Sequence, residues 1–305
     1  MDKFLHKISG QALWGWRQQA IQQAEVADID VAEVDWLLQG LCQVDGLSLR
    51  LGAVATQGEV PSRVSLADLT QLWETRVRDR LPIQHLVGET PWRRFTLYVS
   101  PAVLIPRPET ELIIDQVVTA VEQNPEPDQL RRGTWVDLGT GSGAIALGLA
   151  DALPEATILA TDISPEALAM AKQNAMANGQ GDRIQFLQGS WFEPLKSWRG
   201  QLAGVVSNPP YIPSAIVPTL QPEVANHEPH LALDGGQDGL TCIRHLISAA
   251  PEFLRPNGFW MVELMMGQAP AVRELLAQAG DYASIQACMD LAGIERFVMA
   301  RRCGR

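Results

Sequence analysis

The chain has 305 residues, of which 46% are apolar and 19% charged, and its formal net charge is −11. This composition excludes disordered, collagen-like and coiled-coil proteins. The length favours one large domain with a smaller one, because a single core stops growing near roughly 250–300 residues. The acidic balance argues against avid non-specific binding to nucleic acid.

The first 80 residues predict a small helical bundle. Apolar residues recur at helical spacing from Gln11 to about Val26, again after Asp30, and again after Ser65. Asp68 follows Ser65 at the spacing of a capping box, which marks the start of a helix. Nothing in these apolar stripes carries chemistry, so they are most simply the core of the bundle.

A β-hairpin linker is predicted over residues 81–100. Pro82 ends the helical pattern, and His85–Val87 reads as a short strand followed by a turn at Gly88–Thr90. The second strand is predicted from apolar residues that alternate along one face, namely Phe95, Leu97 and Val99. The hairpin would connect the helical bundle to the next domain.

Residues 101–305 alternate between strand-like and helix-like segments, which predicts an α/β domain with a mostly parallel, doubly wound sheet. The predicted strands are Thr134–Leu138, Thr157–Thr161, Ile184–Gln188, Ala203–Ser207 and Gly258–Leu264. The predicted helices are Gly143–Leu153, Pro165–Ala177 and Leu240–Leu254.

A glycine-rich segment, residues 139–143 (here the glycine loop), joins the first of these strands to a helix. It consists of Gly139, Thr140, Gly141, Ser142 and Gly143. Such a loop lies at the carboxyl ends of the strands, where open α/β sheets bind ligands. Asp162 ends the next strand and can accept hydrogen bonds from two ribose hydroxyls. Because Ala144 completes a G-x-G-x-x-A pattern, a dinucleotide-binding dehydrogenase is an alternative. Asp137, just before the loop, instead favours a ligand with an amino group and a positive charge, such as S-adenosylmethionine.

A second loop, Asn208-Pro209-Pro210-Tyr211, follows a later strand. An amide or exocyclic amine nitrogen is a poor nucleophile, because its lone pair is delocalised. The Asn208 side-chain oxygen and the Pro209 carbonyl can each accept one N–H and turn that lone pair toward a methyl carbon. Tyr211 can stack on the flat group, and the prolines hold the carbonyl in place beforehand. The loop therefore indicates N-methyl transfer without a metal, rather than a merely stiff turn.

Several blocks along nearly the whole chain resemble the HemK/PrmC family of glutamine N-methyltransferases that act on peptide-chain release factors. Besides the glycine loop and residues 208–211, the resemblance rests on Pro82–Gly88, Val103–Glu111, His227–Pro229, Leu233–Gly236, Asp238–Leu240 and Asp290–Arg296. It implies a class I S-adenosylmethionine-dependent methyltransferase domain, with a Rossmann-like sheet, behind an amino-terminal helical domain that docks the protein substrate. The implied substrate is the glutamine of the Gly-Gly-Gln motif in a class I release factor.

The resemblance also implies roles for particular residues. Residues 139–143 would line the methionine part of the cofactor, Asp162 would hold the ribose and Trp191 would lie against the adenine. Residues 208–211 would grip the glutamine amide. Arg107 and Glu109, together with Thr110, would border the active site. Trp191 could instead be ordinary core, and Arg107 could form a structural salt bridge with Glu109.

Three positions depart from the family pattern. His85 stands where tyrosine is more common, Met265 replaces a glycine within Glu263–Gln268, and Ser190 stands where an acid is common. The first two affect local packing. Ser190 weakens any polar contact to the adenine from that site.

Other functions share parts of this pattern. A sister enzyme that methylates a glutamine of a large-subunit ribosomal protein would carry both loops, although the Val103–Glu111 block is closer to the release-factor branch. A DNA adenine N-methyltransferase would need a basic cleft and base flipping, which the charge opposes. A silent cofactor-binding scaffold would have no use for Asn208 and Tyr211.

We expect a monomer without metal, membrane or direct nucleic-acid partners. The four cysteines are expected to be reduced thiols, because they are far apart in the sequence and form no C-x-x-C pair: Cys42, Cys242, Cys288 and Cys303. The amino terminus lacks the pattern of a secretion signal, and no apolar run approaches the roughly 18 residues of a membrane span. A soluble, cytoplasmic protein is therefore expected.

Overall fold

The computed structural model describes residues 4–124 and 126–304. The chain forms two compact units. The first unit ends at Glu89 and also takes in Pro222–His227, a segment from much later in the chain. The second unit contains the rest of the described chain.

The first unit is mainly helical, as the apolar spacing predicts. Its helices before Glu89 are α1 (Gly10–Val26), α2 (Ala32–Leu41), α3 (Gly46–Arg50), α4 (Leu66–Asp79) and α5 (Ile83–Val87). Two short antiparallel strands, β1 (His6–Ile8) and β2 (Val60–Ser62), pair with each other. The apolar stripes meet in one buried core that includes Leu13, Leu37, Leu69 and Trp73.

The capping box predicted at Ser65 is confirmed. The Ser65 Oγ accepts a hydrogen bond from the Asp68 backbone N–H at 3.1 Å, and the Asp68 Oδ2 accepts one from the Ser65 N–H at 3.2 Å. These bonds pair donors that the first turn of α4 would otherwise leave free, a contribution of about 1 kcal/mol. The helix ends where Arg80 adopts a left-handed conformation, two residues before Pro82.

The strand predicted at His85–Val87 is wrong, because these residues belong to helix α5. Pro82 precedes the first turn, and Gly88 ends the helix in the left-handed conformation with φ of 80°. Ile83 and Val87, four residues apart, are both buried, so the apolar spacing fits one helical face. A hairpin is nevertheless present slightly later in the chain, where the strand Glu89–Trp92 pairs with the strand Phe95–Tyr98.

A buried arginine holds the distant segment in the first unit. Arg76, on α4, donates two hydrogen bonds to the Glu33 carboxylate at 2.6 and 2.9 Å. Its Nη1 donates to Glu223 at 2.9 Å, and Glu223 lies in the one-turn helix Pro222–Ala225. Because Arg76 is only 2% exposed, removing either partner would leave a buried charge only partly compensated.

The second unit is an α/β structure. Its strands are β3 (Glu89–Trp92, which begins at the last residue of the first unit), β4 (Phe95–Tyr98), β5 (Thr134–Leu138), β6 (Thr157–Asp162), β7 (Ile184–Gln188), β8 (Leu202–Ser207), β9 (Leu254–Glu263), β10 (Tyr282–Met289) and β11 (Glu295–Arg302). The remaining helices are α6 (Leu112–Glu122), α7 (Pro127–Arg131), α8 (Ala144–Ala152), α9 (Pro165–Ala177), α10 (Pro222–Ala225, in the first unit), α11 (Thr241–Phe253) and α12 (Ala269–Ala279). Short 3-10 turns lie at Ala53–Thr56 in the first unit and, in the second unit, at Glu109–Glu111, Gly181–Arg183, Glu193–Trp198, Val217–Thr219 and His230–Ala232.

The central sheet has seven strands in the order β10-β11-β9-β8-β5-β6-β7. Strands β5 to β9 pair in parallel, which confirms the predicted doubly wound sheet. Strands β10 and β11 form an antiparallel pair at one edge, which the sequence analysis did not predict. From β5 the chain proceeds to β6 and β7 on one side and returns to β8 on the other. The carboxyl ends of β5 and β8 therefore flank the switch point where such sheets bind ligands.

The inner strands β5, β6 and β8 are largely buried on both faces, as strands of parallel sheets usually are. One apolar cluster includes α6 and α8, and the other includes α11 and α12. All six residues of β8 are buried, so this strand is held firmly up to Ser207. Across residues 4–124 and 126–304, no helix combines the length and apolar character needed to cross a membrane.

Candidate active site

A cavity of about 590 Å³ opens where β5, β6 and β8 end. This volume lies within the roughly 300–1,000 Å³ that ligand sites occupy. The structure brings most of the predicted site residues to its wall. These are Arg107, Thr110, Gly139, Thr140, Gly141, Ser142, Asp162, Trp191, Asn208 and Pro210.

Four predicted residues do not line this cavity. Gly143 is the N-cap of helix α8. A Cβ on Gly143 would lie only 3.0 Å from the Ala171 Cβ, so the glycine allows α8 to begin in close contact with helix α9. Pro209 is buried, and Glu109 is exposed on a 3-10 turn. Tyr211 packs beside the core, and its hydroxyl is hydrogen-bonded to Glu263.

The glycine loop exposes its backbone to the cavity. The N–H groups of Gly139 and Thr140 both donate to the Thr161 carbonyl at 2.9 Å, which ties the loop to β6. Gly139 and Gly141 have φ values of 71° and 53°, a region that side chains disfavour. A Cβ at Gly141 would meet no atom within 4 Å, so this side of the loop is open to a ligand.

Asp137 supports the loop from behind. Its Oδ2 accepts hydrogen bonds from the Thr140 hydroxyl at 2.6 Å and the Ala146 N–H at 3.1 Å. The residue is fully buried and does not line the cavity, and within the described residues its Oδ1 has no hydrogen-bond partner. Burial raises the pKa of Asp137 to about 7. The structure thus gives Asp137 a different task from the ligand contact that the sequence suggested.

Asp162 stands between the loop and the cavity. Its Oδ2 accepts from the Gly141 N–H and its Oδ1 from the Ser164 N–H, each at 2.9 Å. Burial raises the pKa of this carboxyl. A carboxylate has about four acceptor positions, so each oxygen can still accept one hydrogen bond from a ligand in the cavity.

Trp191 forms part of the cavity wall beside the glycine loop. Its backbone has φ of 48°, a left-handed conformation that is uncommon for a bulky residue. The Trp191 carbonyl accepts a hydrogen bond from the Thr161 hydroxyl at 3.2 Å. The ring would lie 3.4 Å from a Cβ placed on Gly139. It also packs on the core, so Trp191 is both partly core and part of the cavity wall.

Asn208 follows the last residue of β8 and belongs to a chain of side-chain hydrogen bonds. Its Nδ2 donates to the Thr110 hydroxyl at 3.3 Å, and the Thr110 hydroxyl donates to the Glu263 Oε2 at 2.6 Å. The Tyr211 hydroxyl donates to the Glu263 Oε1 at 3.2 Å. We call Asn208, Thr110, Glu263 and Tyr211 the asparagine network.

Glu263 is the buried acid of this network. It is 1% exposed, and burial raises its pKa to about 7 despite the two hydrogen bonds it accepts. Burial also raises the pKa of Tyr211 above its ordinary value, so its hydroxyl stays a donor. An ionised Glu263 therefore anchors Thr110 and Tyr211 at once.

Arg107 is paired, but not with Glu109. Its Nη2 donates to both oxygens of Glu228, at 2.8 and 2.6 Å. The Glu228 side chain is 1% exposed, and burial raises its pKa although Arg107 opposes this. The Arg107–Glu109 salt bridge considered from the sequence is therefore wrong, and Arg107 lines the cavity while fixed by a more distant acid.

Sequence reasoning missed Glu263, Glu228 and Gln268 as parts of the site. Gln268 donates to the Tyr211 carbonyl at 2.9 Å and so holds the loop after Asn208. Glu263 could have been found, because burying a carboxylate at the end of an apolar strand costs free energy unless hydrogen-bond partners compensate it. Such a residue is therefore a candidate for a functional site. Glu228 lies in a loop and carried no such strand signal, although it belongs to the His227–Pro229 block of the family resemblance.

An open sheet with this strand order, a glycine loop after β5, an acid ending β6 and an asparagine after β8 define a class I S-adenosylmethionine-dependent methyltransferase fold. The family model "Methyltransferase small domain" matches residues 115–220. The catalytic domain of hMettl16, in complex with MAT2A 3'UTR hairpin 6, has a similar fold. The two chains share 14% identity with a TM-score of 0.54, over 88% of this chain and 89% of that one.

Full-length relatives identify the family. The release factor glutamine methyltransferase of Synechocystis sp. (strain ATCC 27184 / PCC 6803 / Kazusa) is 50% identical over 294 residues, which is 96% of this chain and 97% of that protein. The enzyme of the same name from Gloeobacter violaceus is 44% identical over 93% of this chain and 95% of its own length. The chain belongs to the release factor glutamine methyltransferase family.

Proposed function

We propose that this protein transfers a methyl group from S-adenosylmethionine to the side-chain amide nitrogen of the glutamine in the Gly-Gly-Gln motif of a class I release factor. The observation that carries the proposal is Asn208, fixed through its Nδ2 at the end of a buried strand and lining the cavity. Membership of the release factor glutamine methyltransferase family supports the choice of substrate.

The cavity suits S-adenosylmethionine. The open backbone of Gly139 and Gly141 leaves room for the methionine part, Asp162 retains acceptor positions for two ribose hydroxyls, and Trp191 offers an aromatic face to the adenine. When bound, S-adenosylmethionine supplies a methyl group on a positively charged sulfur, which leaves as a neutral thioether while the methylated nitrogen releases one proton to water.

The chain's own contribution is positioning. The Asn208 Oδ1 accepts one N–H of the glutamine amide, and the backbone carbonyl of Pro209, a buried residue that does not itself line the cavity, accepts the other. The two bonds hold the amide plane so that the nitrogen lone pair faces the methyl carbon. Pro209 and Pro210 restrict the backbone, so these acceptors are in place before the substrate arrives. Because the leaving sulfur is positively charged, no metal or dedicated base is needed.

The remaining predicted residues form the border that receives the protein substrate. Arg107, held by Glu228, and Pro210 line the cavity, and Tyr211 is fixed by Glu263. Glu109 is exposed at the same segment and is free to contact a partner's backbone or side chains. We further propose that the first unit docks the release factor and that the enzyme acts as a monomer in the cytoplasm.

The proposal is tested by supplying the purified protein with labelled S-adenosylmethionine and, separately, a class I release factor, ribosomal proteins and DNA. Label is expected on the release factor alone, and mass spectrometry should place it on the glutamine of Gly-Gly-Gln. A release factor in which that glutamine is replaced serves as the control. Preferential labelling of a ribosomal protein or of DNA would overturn the proposal.

A further inference from the structure

We infer that Thr110 and Glu263 are positioning residues that determine which end of the Asn208 amide faces the substrate. The inference deepens the proposed function and rests on it, because it requires the Asn208 oxygen to accept an N–H of the glutamine amide. The members of this pair are far apart in the sequence. Thr110 is 98 positions from Asn208 and 153 positions from Glu263.

The asparagine network has a direction. An ionised carboxylate only accepts hydrogen bonds, so Glu263 obliges Thr110 to donate its single O–H, at 2.6 Å. The Thr110 oxygen can then only accept from Asn208, and the Asn208 group that donates is Nδ2. An amide whose nitrogen is held by Thr110 presents its oxygen on the other side. Glu263 thus selects, through Thr110, the end of Asn208 that the proposed function needs.

The strand register makes this relay rigid. Ser207 pairs with Val262 in the parallel ladder of β8 and β9, so Asn208 and Glu263 leave adjacent strands at the same level, with the strands about 4.8 Å apart. Thr110 is 4% exposed and lies between them, and the Tyr211 hydroxyl holds the other oxygen of Glu263. Neither end of the relay can move without breaking one of these hydrogen bonds.

The ionisation of Glu263 sets the direction of the relay. A protonated Glu263 can donate to Thr110, which would turn the Thr110 O–H toward Asn208 and bring the Asn208 oxygen to the wrong side. The groups that act on the Glu263 carboxyl are Thr110 and Tyr211 by hydrogen bonds, the Arg296 guanidinium, which favours ionisation, and the Glu109 carboxylate, which opposes it. Arg107 acts on the neighbouring Tyr211. The relay should therefore work best when Glu263 is ionised.

The test compares Thr110→Val with Thr110→Ser in methyl transfer to a release factor. Valine keeps the volume of threonine and removes the hydroxyl, whereas serine keeps the hydroxyl and removes a methyl group. A positioning role predicts that Thr110→Val lowers kcat by about 10²-fold, as a misplaced reacting group does, and that Thr110→Ser stays within about tenfold. KM for S-adenosylmethionine and the Kd of S-adenosylhomocysteine by calorimetry should stay unchanged in both.

A purely structural role predicts the opposite order, because valine fills the buried site better than serine does. Thr110→Val at least as active as Thr110→Ser would therefore overturn the inference. In an Asn208→Ala background Thr110→Val should have no further effect on kcat, and a full additional loss would also overturn it. If Asn208→Ala alone retained normal turnover, the proposed function would fail, which is a different result from failure of the relay.

Glu263→Gln provides a second test that does not depend on the fold of a Thr110 variant. Its amide oxygen can still accept from Thr110, but it cannot titrate. The kcat of the unchanged protein should fall as the pH is lowered from 8 to 6, while the kcat of Glu263→Gln should stay nearly constant. Parallel pH profiles for the two proteins would overturn the inference.

Discussion

The two sides of the cavity are built in different ways. The glycine loop is held through its own backbone N–H groups, since Gly139 and Thr140 donate to the Thr161 carbonyl and Gly141 donates to the Asp162 carboxylate. Asn208 is held by side chains, in a network that reaches Thr110 and Glu263. Backbone anchoring fixes a shape, whereas the side-chain network also fixes which group donates and which accepts.

This difference suits the two tasks that we propose. Binding a cofactor requires an open backbone and a few acceptors, and a loop with fixed shape provides them. Turning a poorly nucleophilic amide requires an acceptor at a particular place, so the orientation of one side chain matters more than the shape of the loop. Substitutions at Asn208 should therefore act on kcat, and substitutions near the glycine loop on cofactor affinity.

The largest effect is expected for Asn208→Ala. Loss of one preorganised polar contact lowers turnover by roughly 10²–10³-fold, and cofactor affinity should barely change because the glycine loop is anchored elsewhere. Steady-state kinetics with a release factor and calorimetry with S-adenosylhomocysteine measure the two quantities. Gln278→Ala, at an exposed amide side chain in helix α12 outside the cavity, is the matched control and should behave like the unchanged protein. Normal turnover of Asn208→Ala would remove the distinction between the two sides.

The sequence predicted the glycine-loop side better than the Asn208 side. Strands Thr134–Leu138 and Ile184–Gln188 have the predicted bounds, because a short, mainly apolar run that ends at a glycine is a local pattern. The pairing of Thr110 with Glu263 depends on the β8–β9 register and on the chain segment before α6, which no local pattern specifies. The strand predicted at His85–Val87 was wrong for another reason: three residues, or even the five of helix α5, are too few to distinguish a strand from a single helical turn.

A smaller effect, on affinity rather than turnover, is expected for Asp162→Ala. Loss of the ribose contacts to this carboxylate, taken together at the strength of one charged hydrogen bond because water replaces part of them, is about 1.5–3 kcal/mol and should weaken cofactor binding by roughly 10–100-fold. Calorimetry measures the change, and kcat at saturating cofactor should fall much less. Asp182→Ala, at an exposed acid, is the control. Unchanged affinity in Asp162→Ala would remove the ribose role from this residue.

The smallest effect on turnover is expected for Asp137→Asn, whose main effect is on the pH dependence of stability. The folded-state pKa of about 7 lies above the ordinary value of 3.8, so the folded protein binds one more proton than the unfolded chain between about pH 4 and pH 7. Asp137 therefore contributes stability below pH 4 that is lost as the pH rises through 7, on the order of 2–4 kcal/mol. The Asp137→Asn variant should lack this loss.

The pH dependence that Asp137 causes is measured by denaturant unfolding at pH 4.5, 6 and 8. The quantity compared at each pH is the free energy of unfolding of Asp137→Asn relative to that of the unchanged protein. The difference should shift in favour of the variant as the pH rises. Asp128→Asn, at an exposed acid in helix α7, should show no such trend. A pH-independent difference for Asp137→Asn would mean that this carboxyl is ionised in the folded protein. The glycine loop would then be supported by a charge, and the contrast between a backbone-held side and a charge-directed side would no longer hold.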